Sequence, residues 1–418
     1  MNRRTGLLIL ASAGVLALGV CAWRSPGALR RRDPAPEAAA LEAAIAEIDG
    51  GHKTTPLIGE PTAGGDAAVT FLARRTDGPV PRIVSDVTGW GEHPDGTFDV
   101  TAGTMNRVGR TDWYSLQANV APCARIEYLI AYGPTDFRLD PHNPRQAAGP
   151  QLGGLPASEF VMPGYLPPPE FAYPPASPAG LITEATVESP VLRGPCRLTV
   201  YTPSGYRDDG EYPVAVFLDL RSGQVSRVLD WLIAHRAIEP IVAVFVGPKS
   251  RGNDYLAGAP MRTFLTDELP TWMASRYGVS RSADKRAIIG ISFGAKDALD
   301  ASMSSGGAAS AATAAGRETD GFGRLGLLIP GRRIGRADIA AIAERRNLHL
   351  RVAILAGQYD RANVETARSL RQALADAGQT VDYTEVPEGH SAVTWTYNLR
   401  VVLVSLFGVG GRPSGAAR

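Results

Sequence analysis

A chain of 418 residues exceeds what one hydrophobic core usually organises, so two domains are expected. With 44% hydrophobic and 20% charged residues it can bury a large core, which excludes a disordered or low-complexity protein. The formal net charge is +1, but Arg3, Arg4, Arg24, Arg30, Arg31 and Arg32 lie in the first 32 residues with no acid among them; the rest is net acidic, and nothing in it points to nucleic acid.

Two arginines and then an uncharged run over residues 5–23, built on Leu7-Leu8-Ile9-Leu10 and Val15-Leu16-Ala17-Leu18, mark residues 1–32 as a signal peptide or a membrane anchor. Both readings stand: Val20-Cys21-Ala22 offers a small-residue cleavage site, and residues 5–23 are just long enough to anchor the chain in a membrane. Either way the protein is expected to be exported, periplasmic or extracellular, or held at the inner membrane. Cys21 falls in this leader, leaving Cys123 and Cys196. They could form a disulfide in an oxidising compartment, and two separate buried thiols fit equally well.

Residues 33–66 read as a short helix and a loop, with Leu41, Ile45 and Ile48 at helical spacing before Gly50-Gly51. Over residues 67–150 the pattern changes to short alternating strands, at residues 69–72, 82–85, 113–117 and 125–130, separated by Gly, Pro, Asp and Asn. That spacing predicts a small all-β sandwich. Trp90 and Trp113 read as core aromatics of that sandwich, or as a platform for stacking a sugar. Residues 151–184 hold Pro167-Pro168-Pro169 and Pro174-Pro175 and read as a stiff linker. From 185 to 410 strands alternate with helices, which predicts an α/β domain with a mostly parallel sheet covered on both faces. The Ser-Gly-Ala stretch around residues 304–316 reads as a surface excursion.

Gly290-Ile291-Ser292-Phe293-Gly294 follows the apolar run Ala287-Ile288-Ile289 and precedes a segment of helical composition. Strand, G-x-S-x-G and helix together form a nucleophile elbow, in which a tight turn presents a serine at the end of a helix. A serine hydroxyl needs a base, and the base needs an acid to fix its tautomer. The partners are expected in the order Ser, acid, His, each after a strand. Asp360 follows the predicted strand 350–356, and His390 follows 380–386. Of the six histidines, His52, His93 and His142 precede the α/β region, His235 lies in a helix, and His349 begins a strand. His390 is therefore the expected base, with Glu365 a second candidate for the acid. The N–H of Phe293 and that of Leu220, in the loop after the strand 212–218, are the expected oxyanion donors. No metal cluster, phosphate loop or dinucleotide fingerprint is present, so no cofactor is expected.

Longer motifs extend this. Val200-Tyr201-Thr202-Pro203-Ser204-Gly205-Tyr206, Tyr212-Pro213-Val214, Asp267-Glu268-Leu269-Pro270 and Tyr277-Gly278-Val279 resemble the enterochelin esterase family, as do Gly389-His390 with Trp395 and the set Arg251, Asp254 and Tyr255. Thr55-Pro56-Leu57-Ile58, Asp112-Trp113-Tyr114 and Asp140-Pro141-His142-Asn143-Pro144 are similar to that family's immunoglobulin-like N-terminal domain. The resemblance implies an α/β-hydrolase fold and a small-molecule ester substrate, a catecholate siderophore or its ferric complex, with a role in iron acquisition. Arg221, Arg251 and Trp395 are the implied substrate-binding residues, and Arg332 and Arg333 would also suit an anionic ligand. A carbohydrate or aryl esterase and a non-catalytic envelope binding protein remain the alternatives. The chain departs from the family at Leu220, where a glycine is usual, at Ala295, and over residues 329–333.

Overall fold

The structure is a computed structural model and describes residues 34–62, 65–75, 77–93, 95–147, 156–247, 258–314, 321–345 and 348–409. The leader and Arg251, Asp254 and Tyr255 lie outside the described residues.

The chain opens with helix α1 (Pro34–Asp49), followed by β1 (Leu57–Pro61), β2 (Ala67–Arg74), β3 (Arg82–Ser85), β4 (Asn106–Arg107), β5 (Trp113–Val120), β6 (Arg125–Ala131), β7 (Phe137–Arg138) and β8 (Ser158–Val161). These strands form two antiparallel sheets, one in the order β1-β2-β5-β4 and the other of β3, β6 and β7 with β8 also paired to β6. Period-two patterning explains β2. Val69, Phe71 and Ala73 face the second sheet, where Phe71 meets Tyr128 edge-on at 5.0 Å, while Leu72 on the opposite face packs with Ile45 and Ile48 of α1 and with Trp113. Trp113 is therefore a core residue, 1% exposed, and offers no sugar platform. Trp90 is half-buried, and its indole N–H donates to Asp86.

Residues 156–184 are not a spacer, although their prolines read as a stiff linker. β8 belongs to the sandwich: Phe160 enters its core, Ser158 accepts from the Asp140 N–H, and Glu159 meets Arg125. Polar partners replace the apolar alternation that would have marked this strand. Helix α2 (Pro169–Ala172) docks on the other body, where Phe171 stacks on Tyr397 at 4.6 Å and Arg227 Nε donates to Glu170 O at 2.6 Å.

The second body contains β9 (Leu181–Ser189), β10 (Gly194–Thr202), β11 (Val214–Leu218), α3 (Ser222–Ala234), β12 (Val242–Val246), α4 (Ala259–Thr263), α5 (Leu269–Arg276), β13 (Arg286–Ile291), α6 (Phe293–Ala314), β14 (Arg324–Leu328), α7 (Arg336–Ala343), β15 (Arg351–Gly357), α8 (Val364–Asp376), β16 (Thr380–Val386) and α9 (Ala392–Phe407). Its sheet runs β16-β15-β14-β13-β11-β12-β10-β9, parallel from β16 to β12, with β10 and β9 antiparallel at one edge. Val214, Val216 and Leu218 face one core and Ala215 and Phe217 the other, as a strand covered on both sides requires. Between α4 and α5 the helical run is interrupted by a π turn, Phe264–Glu268, because Pro270 has no N–H to return to the preceding turn. The surface excursion expected near residues 304–316 is helical as far as Ala314. Cys123 and Cys196 form no disulfide.

Candidate active site

The carboxyl ends of the central strands bring five loops together. Register pairs Leu218 with Gly290, Ile291 with Leu328, Leu328 with Leu355, and Gly357 with Val386, so the loops after β11, β13, β14, β15 and β16 share one edge of the sheet. Three of them carry a non-glycine residue at positive φ: Asp219 at 66°, Ser292 at 47° and Ile329 at 45°. Such left-handed residues store strain and tend to cluster at functional sites.

Ser292 occupies the turn between β13 and α6. The turn is too tight for side chains on either glycine: a Cβ on Gly290 would lie 2.1 Å from Gly294 O, and one on Gly294 would lie 2.9 Å from Leu218 O. Ser292 N–H donates to Leu328 O at 3.0 Å, which ties the elbow to β14. Its Oγ lies 3.1 Å from His390 Nε2, and His390 Nδ1 lies 2.8 Å from Asp360 Oδ2. Ser292, His390 and Asp360, chosen from chain order, are thus hydrogen-bonded in series. Glu365 is bonded to Arg368 instead, so Asp360 is the acid that meets the histidine.

Asp360 is 6% exposed, and its other oxygen accepts from Asn363 Nδ2 at 2.8 Å. Asn363 Oδ1 in turn accepts from the Arg332 N–H at 2.9 Å, linking the acid loop to residues 329–333. Trp395, one helical turn into α9, packs edge-on to the His390 ring at 5.8 Å. Burial disfavours a charged imidazole, but the charge and hydrogen bond of Asp360 outweigh it and hold the His390 pKa above its ordinary value. Asp86 adds to that effect from the sandwich side. Asp86 is itself fully buried, accepting from Trp90 Nε1 at 2.9 Å and Glu127 N–H at 2.8 Å, and burial, with Glu127 nearby, pushes its carboxyl up to about 7.

Phe293 opens α6, so its N–H has no partner within the helix, and the Leu218 to Gly290 register sets Asp219-Leu220 beside the elbow. The positive φ falls on Asp219, so Leu220 needs no glycine; its side chain is buried in the second core. Ala295, fully buried, packs in the other core. Arg221 stands exposed at the start of α3. Arg332 pairs with Glu92 of the sandwich, and Arg333 lies 5.4 Å over the Phe293 ring. A cavity of about 330 Å³ lies at the opposite, amino end of the strands, against Val214, Arg286 and Phe322. Among the described residues no group of three or more His, Cys, Asp or Glu is placed to hold a metal ion, and no helix is long and apolar enough to cross a membrane.

Sequence reasoning missed Asn363, Asp86, Tyr359 and Arg125. Tyr359 enters the sandwich core, and its hydroxyl accepts from Ala121 N–H at 2.9 Å. Arg125 and Glu127 alternate along β6, and in the sequence their charge reads as a solvated face; only the structure shows every residue of that strand buried.

Residues 189–308, which include Ser292 but neither Asp360 nor His390, match the Esterase family model, described as "Putative esterase". No curated protein matches the chain. Among solved structures it is similar to the ferric enterobactin esterase of Salmonella typhimurium, with a TM-score of 0.62 at 20% identity over 85% of this chain and 96% of that one. It is similar also to the enterobactin esterase of Shigella flexneri, in a structure determined in the presence of enterobactin, with a TM-score of 0.61 at 20% identity over 85% and 96%. The second body therefore has the α/β-hydrolase fold of the enterobactin esterases, and residues 189–308 match the esterase family.

Proposed function

We propose that the protein is a serine esterase acting through an acyl-enzyme. The observation that carries this is the unbroken series from Ser292 Oγ through His390 to Asp360. Ser292 Oγ attacks the ester carbonyl carbon while His390 Nε2 takes its proton, and the N–H groups of Phe293 and Leu220 face the resulting oxyanion. Collapse breaks the ester bond, and the leaving alcohol carries off the proton from His390. Water then attacks the acyl group, His390 takes its proton, and Ser292 regains one as the acid departs.

Fold kinship with the enterobactin esterases favours a bulky catecholate ester, a siderophore or its ferric complex, as substrate. Arg221, Arg251 and Trp395 are the proposed contacts to it. Residues 1–32 are proposed to direct the chain out of the cytoplasm, either cleaved or retained as an anchor. The test is labelling with a fluorophosphonate probe, beside Ser292→Ala and His390→Ala. Labelling lost in both variants is expected, and a panel of ferric catecholates, aryl esters and acetylated sugars then assigns the ester. A folded wild type that takes no label would overturn the enzyme.

A further inference from the structure

The loops that carry the acid and the base are docked on the sandwich, and one buried guanidinium makes much of that connection. Arg125 begins β6 and is 1% exposed. Its Nε donates to Glu388 Oε2 at 2.8 Å; Nη1 donates to Glu127 Oε1 and, at 2.9 Å, to Glu159 Oε2; Nη2 donates to Ser391 Oγ at 2.9 Å and Thr394 Oγ1 at 3.0 Å. Five donors meet five acceptors, the full capacity of the group. The Arg125 backbone N–H adds a bond to Pro387 O at 3.3 Å.

The bonds cluster around one residue. Pro387, Glu388 and Ser391 bracket His390 on both sides, and Gly389 between them lies so close to Asp86 that a Cβ there would fall 1.8 Å from Asp86 Oδ1. Asn398 Nδ2 holds the second Glu388 oxygen at 2.9 Å, so the loop is gripped from α9 as well. A planar guanidinium fixes directions, which a point charge on a flexible stem does not.

We propose that Arg125, a residue of the sandwich, is a positioning residue for His390, ordering the base through Glu388 and Ser391. This rests on the esterase reading above. Arg125 touches neither the imidazole nor Ser292; it sets the angle at which the imidazole meets both of its partners. The charged groups facing His390 are Asp360 from the acid loop and Asp86 from the sandwich, with Arg125 and Glu388 behind the loop.

The test compares the full-length protein with Arg125→Lys on 4-nitrophenyl acetate, alongside the His390 Nδ1–H proton resonance, assigned by its absence in His390→Gln. A folded Arg125→Lys is expected to lose at least about tenfold in kcat with KM within about twofold, and to broaden that resonance. Wild-type kcat with an unchanged resonance would overturn the proposal. Should Arg125→Lys not fold, Thr394→Val removes one of the five acceptors at constant shape; a fall of about threefold in kcat is expected, and no change overturns it. A wild type that neither hydrolyses nor labels defeats the esterase reading alone, and the resonance still decides the positioning role.

Discussion

The proposed nucleophile and the proposed base are held in opposite ways. Ser292 is fixed by its own neighbourhood, a turn so tight that Gly290 and Gly294 leave no room for a Cβ, followed at once by a helix. His390 sits on a loop gripped by residues more than 260 positions earlier in the chain. The elbow is assembled inside the α/β body, from β13, α6 and the ends of β11 and β14 beside them, whereas the His390 loop also draws on the sandwich.

The largest effect that would sharpen this contrast lies at the acid. Asp360→Asn should cut kcat by on the order of 10³ to 10⁴, since the imidazole loses the partner that fixes its tautomer. General-base catalysis needs neutral His390, and the neutral fraction rises with pH through the folded-state pKa. Asp360 raises that pKa, so its removal should move the rising limb of the kcat/KM profile to lower pH, read from a pH series on an aryl ester.

The two glycines divide the mechanisms directly. Gly290→Ala sets a Cβ against the backbone of Gly294 and Ala295, and no other change should rescue it. Gly389→Ala sets a Cβ against the Asp86 side chain, so adding Asp86→Ala should restore part of the activity. Each single change is expected to cost about 10²-fold in kcat. Rescue of both, or of neither, would break the contrast; a double-mutant cycle in kcat is the readout.

The smallest effect should come from a second arginine that crosses between the bodies, one that is partly exposed. Arg332 pairs with Glu92, but with side chains 46% and 26% exposed. Glu92→Gln should change stability by less than about 1 kcal/mol in denaturant melts, while the buried Arg125 pairs belong to the costly class. A larger loss would mean that surface charge also holds the bodies together.

The same contrast explains what could be read from the sequence. The central strands announce themselves as apolar runs, the elbow as five consecutive residues, and Asp360 and His390 by their places after the last two strands. Arg125, Tyr359 and Asp86 carry no such mark, because their partners are distant in the chain and a buried ion pair has no period. β8 was hidden for a related reason: its Glu159 looks like surface until Arg125 is opposite it. Asn363 reads as a helix-start residue, and only the fold shows that it braces Asp360.

The fully subscribed guanidinium also governs how the molecule comes apart. The sandwich and the α/β body have separate hydrophobic cores, the usual condition for two independent melting steps. Drawing them apart would part Arg125 from Glu388, Ser391 and Thr394 but open the guanidinium to water, whose hydration offsets much of what those bonds contribute, so they fix the angle of docking more than its strength. Tyr359 would leave the sandwich core at the same moment. A half-open molecule is therefore expected to keep both cores while losing the alignment of His390.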